Sequence, residues 1–187
     1  MIIKKLILIN FKNHSERDFQ LSPHINCFVG NNGVGKTNVL DALHYLSMGK
    51  SFLGLSDHQN IKNNKEFFSI TSNIINDDRE DTIKISLNKD AKKIIKKNDK
   101  PYPKIAEHIG YLPNVIISPY DSNLISDSGD SRRKFIDAMI SQTDTEYLFS
   151  LIQYQKAIQQ RNALLKLFAK NKTFDRDSLD TRYVFER

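Results

Sequence analysis

At 187 residues the chain can form one hydrophobic core and a small second one, and 39% hydrophobic with 27% charged residues mark it as globular rather than disordered. No apolar run approaches the roughly 18 residues needed to span a bilayer. The start, Met1-Ile2-Ile3-Lys4-Lys5-Leu6, lacks the apolar stretch of a signal peptide, so a cytoplasmic protein with no membrane partner is expected. A net charge of +6 and a pI near 9.3 point either to a polyanionic partner such as nucleic acid or to a lysine-rich solvated surface.

Residues 2–9 alternate as a strand, followed by a polar loop, Asn10-Phe11-Lys12-Asn13-His14, with one aromatic. Phe19 to Leu21 suggest a second short strand. Pro23 then turns the chain into an apolar run, Ile25 to Val29, that reads as a buried strand, and Cys27 within it as a small core residue. This run ends in Gly30-Asn31-Asn32-Gly33-Val34-Gly35-Lys36-Thr37. Leu40, Leu43 and Leu46 follow at helical spacing up to a terminator at Gly49.

Gly30, Gly35, Lys36 and Thr37 match G-x-x-x-x-G-K-[ST] in the strand–loop–helix context that the motif requires. The glycines let the backbone curl until successive N–H groups converge on phosphate oxygens, and the helix adds its positive end. On this reading Lys36 reaches the β- and γ-phosphates and the Thr37 hydroxyl is a ligand of Mg²⁺. A glycine-rich turn matching by chance is the bland alternative.

Lys50 to Lys65 read as loop. Phe67 to Asn76 and Thr82 to Leu87 have strand period and are joined by a charged turn, Asn76 to Asp81, giving an antiparallel pair. Lys92 to Lys97 fit a third strand, whose four lysines either protect an edge or face DNA. Lys104 to Ile109 suit a short helix, and Val115-Ile116-Ile117 a buried strand stopped by Ser118-Pro119. Beyond Asp127 the pattern is helical. Ser131 is placed to cap a helix to about Gln142, and Thr143 or Asp144 a longer one to about Lys170, a short link implying an antiparallel pair. Tyr183 to Arg187 look like the opening of another helix, and there is no internal repeat.

The fold class expected is α/β: a P-loop nucleotide-binding lobe with an antiparallel meander over residues 1–118, then the start of a helical lobe over residues 119–187. Such an ATPase also needs an apolar strand ending in an acid that holds Mg²⁺. The one candidate, Val115 to Asp121, has Pro119 between strand and acid, so Asp121 is rejected. No catalytic residue is therefore assigned, and the chain is expected to be the N-terminal part of a longer protein, incomplete at its C-terminus.

Three stretches resemble one family. Asn10-Phe11-Lys12-Asn13-His14, Gly30 through Leu43 and Lys50-Ser51-Phe52 are similar to the RecF family of DNA replication and repair proteins, ABC-type ATPases related to the SMC proteins. Pro119-Tyr120-Asp121 with Leu124-Ile125, Arg132 to Asp137 and Gln160 to Leu165 resemble the same family's later segments. Two departures are local: the acid follows Pro119 one place late, and Asp127-Ser128-Gly129 replaces a Gly-x-Pro. The resemblance implies an ATP- and Mg²⁺-dependent protein that dimerises with itself, binds DNA at single-strand gaps or duplex junctions, and works with RecR- and RecO-type proteins. It further implies a slow, DNA-stimulated ATPase as a full-length protein, with roles in DNA damage and the SOS response. It places Lys12 and Asn13 near the nucleotide and Asn38 after the metal-binding threonine. Arg132 and Arg133, two cations at a helix start, read either as solvated or as facing an anion.

Two other functions compete. A P-loop kinase of a small metabolite needs a parallel sheet and an acceptor pocket, which the meander argues against. A module that only binds nucleotide, hydrolysing nothing, fits the chain as it stands.

Overall fold

Alternating apolar side chains make the first eleven residues a long strand, β1 (Ile2–Phe11), with Leu6, Leu8 and Phe11 in the core. The computed structural model describes residues 1–77, 79–126 and 129–175. The expected loop at residues 10–14 is a two-residue turn: β1 runs on through Phe11, β2 (His14–Gln20) starts three residues later, and Phe11 pairs with His14. Asn10 and Lys12 take positive φ values of 51° and 52°, which is what lets so tight a reversal form.

β3 (Phe67–Asn76) and β4 (Arg79–Asn88) pair in register along their length, followed by β5 (Ile94–Lys97) and the short β6 (Lys100–Pro101). All six lie in one antiparallel sheet, ordered β2-β1-β3-β4-β5-β6. Among the described residues it has no parallel pair, unlike the sheet a small-metabolite kinase requires.

One helix, α1 (Lys36–Met48), covers one face of the sheet, burying Val39, Ala42, Tyr45 and Leu46 against Phe68, Ile70 and Ile85. Phe11, Tyr45 and Phe68 form an edge-to-face triangle with centroids 5.4–5.9 Å apart. Gly49 closes α1 in the left-handed conformation (φ 65°), its N–H bonding the Tyr45 carbonyl. His108 Nε2 donates to the Leu46 carbonyl at 2.6 Å from a fully buried position, tying the following segment to the helix.

Two expectations fail for the same reason. Ile25–Val29 and Val115–Ile117 are neither strands nor buried: Ile25, Val29 and Ile117 are 81%, 88% and 82% exposed, and Cys27 is exposed too. An apolar run becomes a buried strand only beside another strand that satisfies its backbone groups, and among the described residues the sheet offers neither run a neighbour. The expected helix at 104–109 is a single 3-10 turn, Ile105–Glu107.

Contacts divide the chain into two units, Met1–Arg132 and Arg133–Arg187. A 3-10 turn at Pro119–Ser122 leads into the short α2 (Asn123–Ser126). α3 (Gly129–Ile140) begins two residues before Ser131, which is therefore inside the helix and not its cap. In the second unit α4 (Thr145–Asn171) is capped by Asp144, whose carboxylate accepts the Tyr147 N–H at 2.9 Å. Tyr147 also donates to Asp137 at 2.6 Å, yet Phe135, Ile136 and Ile152 stay exposed. The readings at Asp78, at Asp127 and Ser128 and at Tyr183 to Arg187 lie outside the described residues.

Candidate functional site

The loop from Gly30 to Gly35 carries no regular structure and depends on its glycines: φ is 146° at Gly30, 83° at Gly33 and 103° at Gly35, values L side chains rarely adopt. Gly35 is the N-cap of α1 and no side chain caps the helix there, so its first N–H groups stay open to an anion. A Cβ on Gly33 would meet nothing within 4 Å.

Lys36 folds back over its own loop. Its ammonium donates to the carbonyls of Gly30 (2.8 Å) and Asn31 (2.9 Å), which holds the curl closed and leaves one of its three N–H groups for a ligand. Thr37 is exposed. The described residues contain no cluster of three His, Cys, Asp or Glu side chains able to hold a metal ion. A hydroxyl at this position suits Mg²⁺, which takes few protein ligands and fills its shell with waters and phosphate oxygens.

The β1–β2 turn lies across the loop, and this accounts for three of the residues singled out in the sequence. Asn13 Nδ2 donates to the Gly33 carbonyl at 3.0 Å, while Asn38 Nδ2 donates to Asn13 Oδ1 at 2.8 Å. The Asn13 carboxamide thus braces the loop and the first turn of α1 together. Lys12, which lines a cleft beside Asn13 and Asn38, is paired through its ammonium with Asp41 on α1, both side chains buried, at 7% and 0% exposed. That carboxylate also accepts Ser51 Oγ–H and Phe52 N–H, each at 2.8 Å, which ties Lys50-Ser51-Phe52 to the helix. Asn31, Asn32 and Val34 are exposed on the loop.

Sequence reasoning passed over three residues here. Asp41 stands one turn after Thr37 in the helix, and a buried acid there signals a hidden cation. His14 is largely buried with Nε2 3.2 Å from the Gly35 carbonyl, and Lys62 donates to the Asn13 carbonyl (3.0 Å) and Ser15 Oγ (2.6 Å). Lys62 is brought there by the segment 60–62, which bonds the end of β1 through Lys12 N–H to Asn60 and Lys62 N–H to Asn10. That cleft, of about 490 Å³, opens beside the turn, lined by Lys12, Asn13, Asn38 and Lys62 together with Leu53, Leu55 and Ile61. Asp121 accepts the N–H and the hydroxyl of Ser118, so its carboxylate closes its own 3-10 turn.

Residues 5–183 match the family model described as an AAA domain. The chain is 54% identical to the DNA replication and repair protein RecF of Flavobacterium johnsoniae, over 96% of its own length and 50% of that protein's. It is 47% identical to the same-named protein of Parabacteroides distasonis, over 89% of its length and 46% of that one's. Among solved structures it superposes on the recombination mediator protein RecF-ATPrS of the RecFOR pathway with a TM-score of 0.89 at 32% identity, covering 96% of this chain and 48% of that one. An SMC ATPase shares the fold with a TM-score of 0.60 at 21% identity, over 74% of this chain. The chain thus spans about half the length of the curated relatives it matches.

Proposed function

The chain belongs to the AAA-domain family and matches RecF proteins along half of their length, and on that premise we propose that it binds ATP with Mg²⁺ through Gly30–Thr37. The observation carrying this is the pre-curled loop: glycines at positive φ, an uncapped helix N-terminus behind them, and Lys36 drawn over the opening with one N–H to spare. Lys36 supplies charge to the terminal phosphates, and the open amides of α1 take up oxygens nearer the base. Thr37 offers its hydroxyl to Mg²⁺, which neutralises phosphate charge when bound. Asn13 and Asn38 keep the loop in this shape.

The whole protein, on this reading, acts in recombinational DNA repair and replication: it pairs with a second copy of itself on ATP, binds DNA at single-strand gaps or duplex junctions, and works with RecR- and RecO-type proteins. Hydrolysis needs the metal held from a second side by a carboxylate and the attacking water polarised. Asp41 and Asp121 are both engaged elsewhere, so residues 1–187 alone turn over ATP no faster than background, whereas the complete protein hydrolyses it slowly and faster with DNA.

Calorimetric titration with MgATP tests the site. Binding by the parent protein and its loss in Lys36→Ala support the reading; equal affinity in both refutes it. Assaying both lengths of chain with duplex DNA at two salt concentrations tests the rest. Robust hydrolysis by residues 1–187, or salt-insensitive DNA binding by the complete protein, contradicts it.

A further inference from the structure

Two of the phosphate loop's carbonyls are held by the β1–β2 turn: Gly33 by Asn13 Nδ2 and Gly35 by His14 Nε2. A trans peptide is planar, with its C=O and N–H on opposite sides. Anchoring the Gly33 carbonyl therefore turns the Val34 N–H away from the hairpin, and anchoring the Gly35 carbonyl does the same for the Lys36 N–H. The Gly35 carbonyl also accepts the Val39 N–H (3.1 Å), the first bond of α1, so the hairpin fixes the helix start as well as the loop.

The fit is close. A Cβ added to Gly35 would lie 2.5 Å from both Asn13 Oδ1 and His14 Nε2. His14 is itself steadied by an aromatic series, edge-to-face on Phe19 (6.2 Å) and Phe19 on Phe28 (5.8 Å), and Phe28 stands just before Gly30. One imidazole is thereby linked to both ends of the loop. A carbonyl can only accept, so Nε2 carries a proton. Burial holds the ring below its ordinary pKa, against the pull of the Gly35 carbonyl, and the Arg17 and Lys62 charges act in the same direction as burial. Above about pH 6.5 this favours the neutral ring, whose one proton is then on Nε2.

We propose that His14 is a positioning residue for nucleotide binding, clamping the Gly35 carbonyl so that the Lys36 amide is already turned toward the phosphates, with Asn13 fixing the Val34 amide in the same way. This rests on the reading of Gly30–Thr37 as a nucleotide site.

The test compares MgATP affinity in the parent protein, His14→Phe and His14→Gln. Phenylalanine keeps the ring contact with Phe19 but has no donor, whereas glutamine places an N–H near the position of Nε2. The expected result is binding about tenfold weaker in His14→Phe, the scale of one hydrogen bond, and largely restored in His14→Gln. Equal affinity in His14→Phe and parent overturns the role, and so does equal weakening in both variants, which would mean packing alone. A parent that fails to bind MgATP defeats the nucleotide reading itself. Nitrogen-15 histidine spectra of the parent need no variant to fold. They should show His14 protonated at Nε2 with its signal moving on MgATP addition, and an Nδ1–H tautomer overturns the proposal.

Discussion

Replacing Lys12 with methionine removes one charge from a buried pair and leaves the other, and the surroundings set the size of the effect. The Asp41 side chain is fully buried, and without Lys12 it keeps, among the described residues, the Ser51 hydroxyl and the Phe52 N–H. The ammonium makes no other hydrogen bond among the described residues, and the one further contact methionine gives up is that with the Phe11 ring, 5.6 Å away. Breaking a buried pair from one side costs about 3–5 kcal/mol; the two remaining donors put this case near the lower end, about 3 kcal/mol. For a chain of this size that lowers Tm by about 6–12 °C. The double variant Lys12→Met with Asp41→Asn removes both charges and should recover roughly half of the Lys12→Met loss, about 1.5 kcal/mol. Thermal and urea unfolding followed by circular dichroism at pH 7.5 measure all four corners. A Lys12→Met midpoint within about 1 °C of the parent, far below the drop expected for a buried pair, refutes the reasoning.

Gly35→Ala should abolish MgATP binding, since both φ and the Asn13–His14 contact forbid the methyl group; undiminished binding by calorimetry contradicts this. Asp144→Ala should cost about 1 kcal/mol of stability by removing the N-cap of α4, read as a drop in its helical circular-dichroism signal on mild heating. His108, His44 and His14 all have pKa values lowered below 6.5 by burial. For such a base the unfolded chain takes up the proton first, so its stability contribution is fully present above about 6.5 and is lost as pH falls toward the folded value. Tm should therefore drop between pH 7.5 and 5.5, and His108→Phe should flatten that slope; an unchanged slope excludes His108 as a contributor.

What the sequence disclosed follows from the range of the forces involved. Strand period, the glycine terminator at Gly49 and a cap at Thr143 or Asp144, which the structure gives to Asp144, are local and readable within a few residues, as is the glycine-rich loop pattern at Gly30–Thr37. The start of α3 was misjudged because Ser131 is an ordinary capping residue that here follows Gly129 and Asp130 already in the helix. Ile25–Val29 and Val115–Ile117 were misread because composition reports that a segment prefers burial, not whether a neighbour exists to bury it. The Lys12–Asp41 pair and the His14 clamp join positions 21 to 29 residues apart, a separation no periodicity encodes. Only the fold brings them together.

The two bare apolar runs also bear on how the protein behaves in a tube. Ile25, Val29, Val115 and Ile117 are exposed on stretches of backbone that no strand pairs among the described residues. Such stretches are adhesive toward any other chain with the same fault. Net charge of +6 opposes that adhesion at low ionic strength, and added salt removes the opposition while leaving the adhesion intact. Residues 1–187 should therefore lose solubility as salt and concentration rise together, which turbidity measures, and a single lysine or proline placed within either run should oppose it.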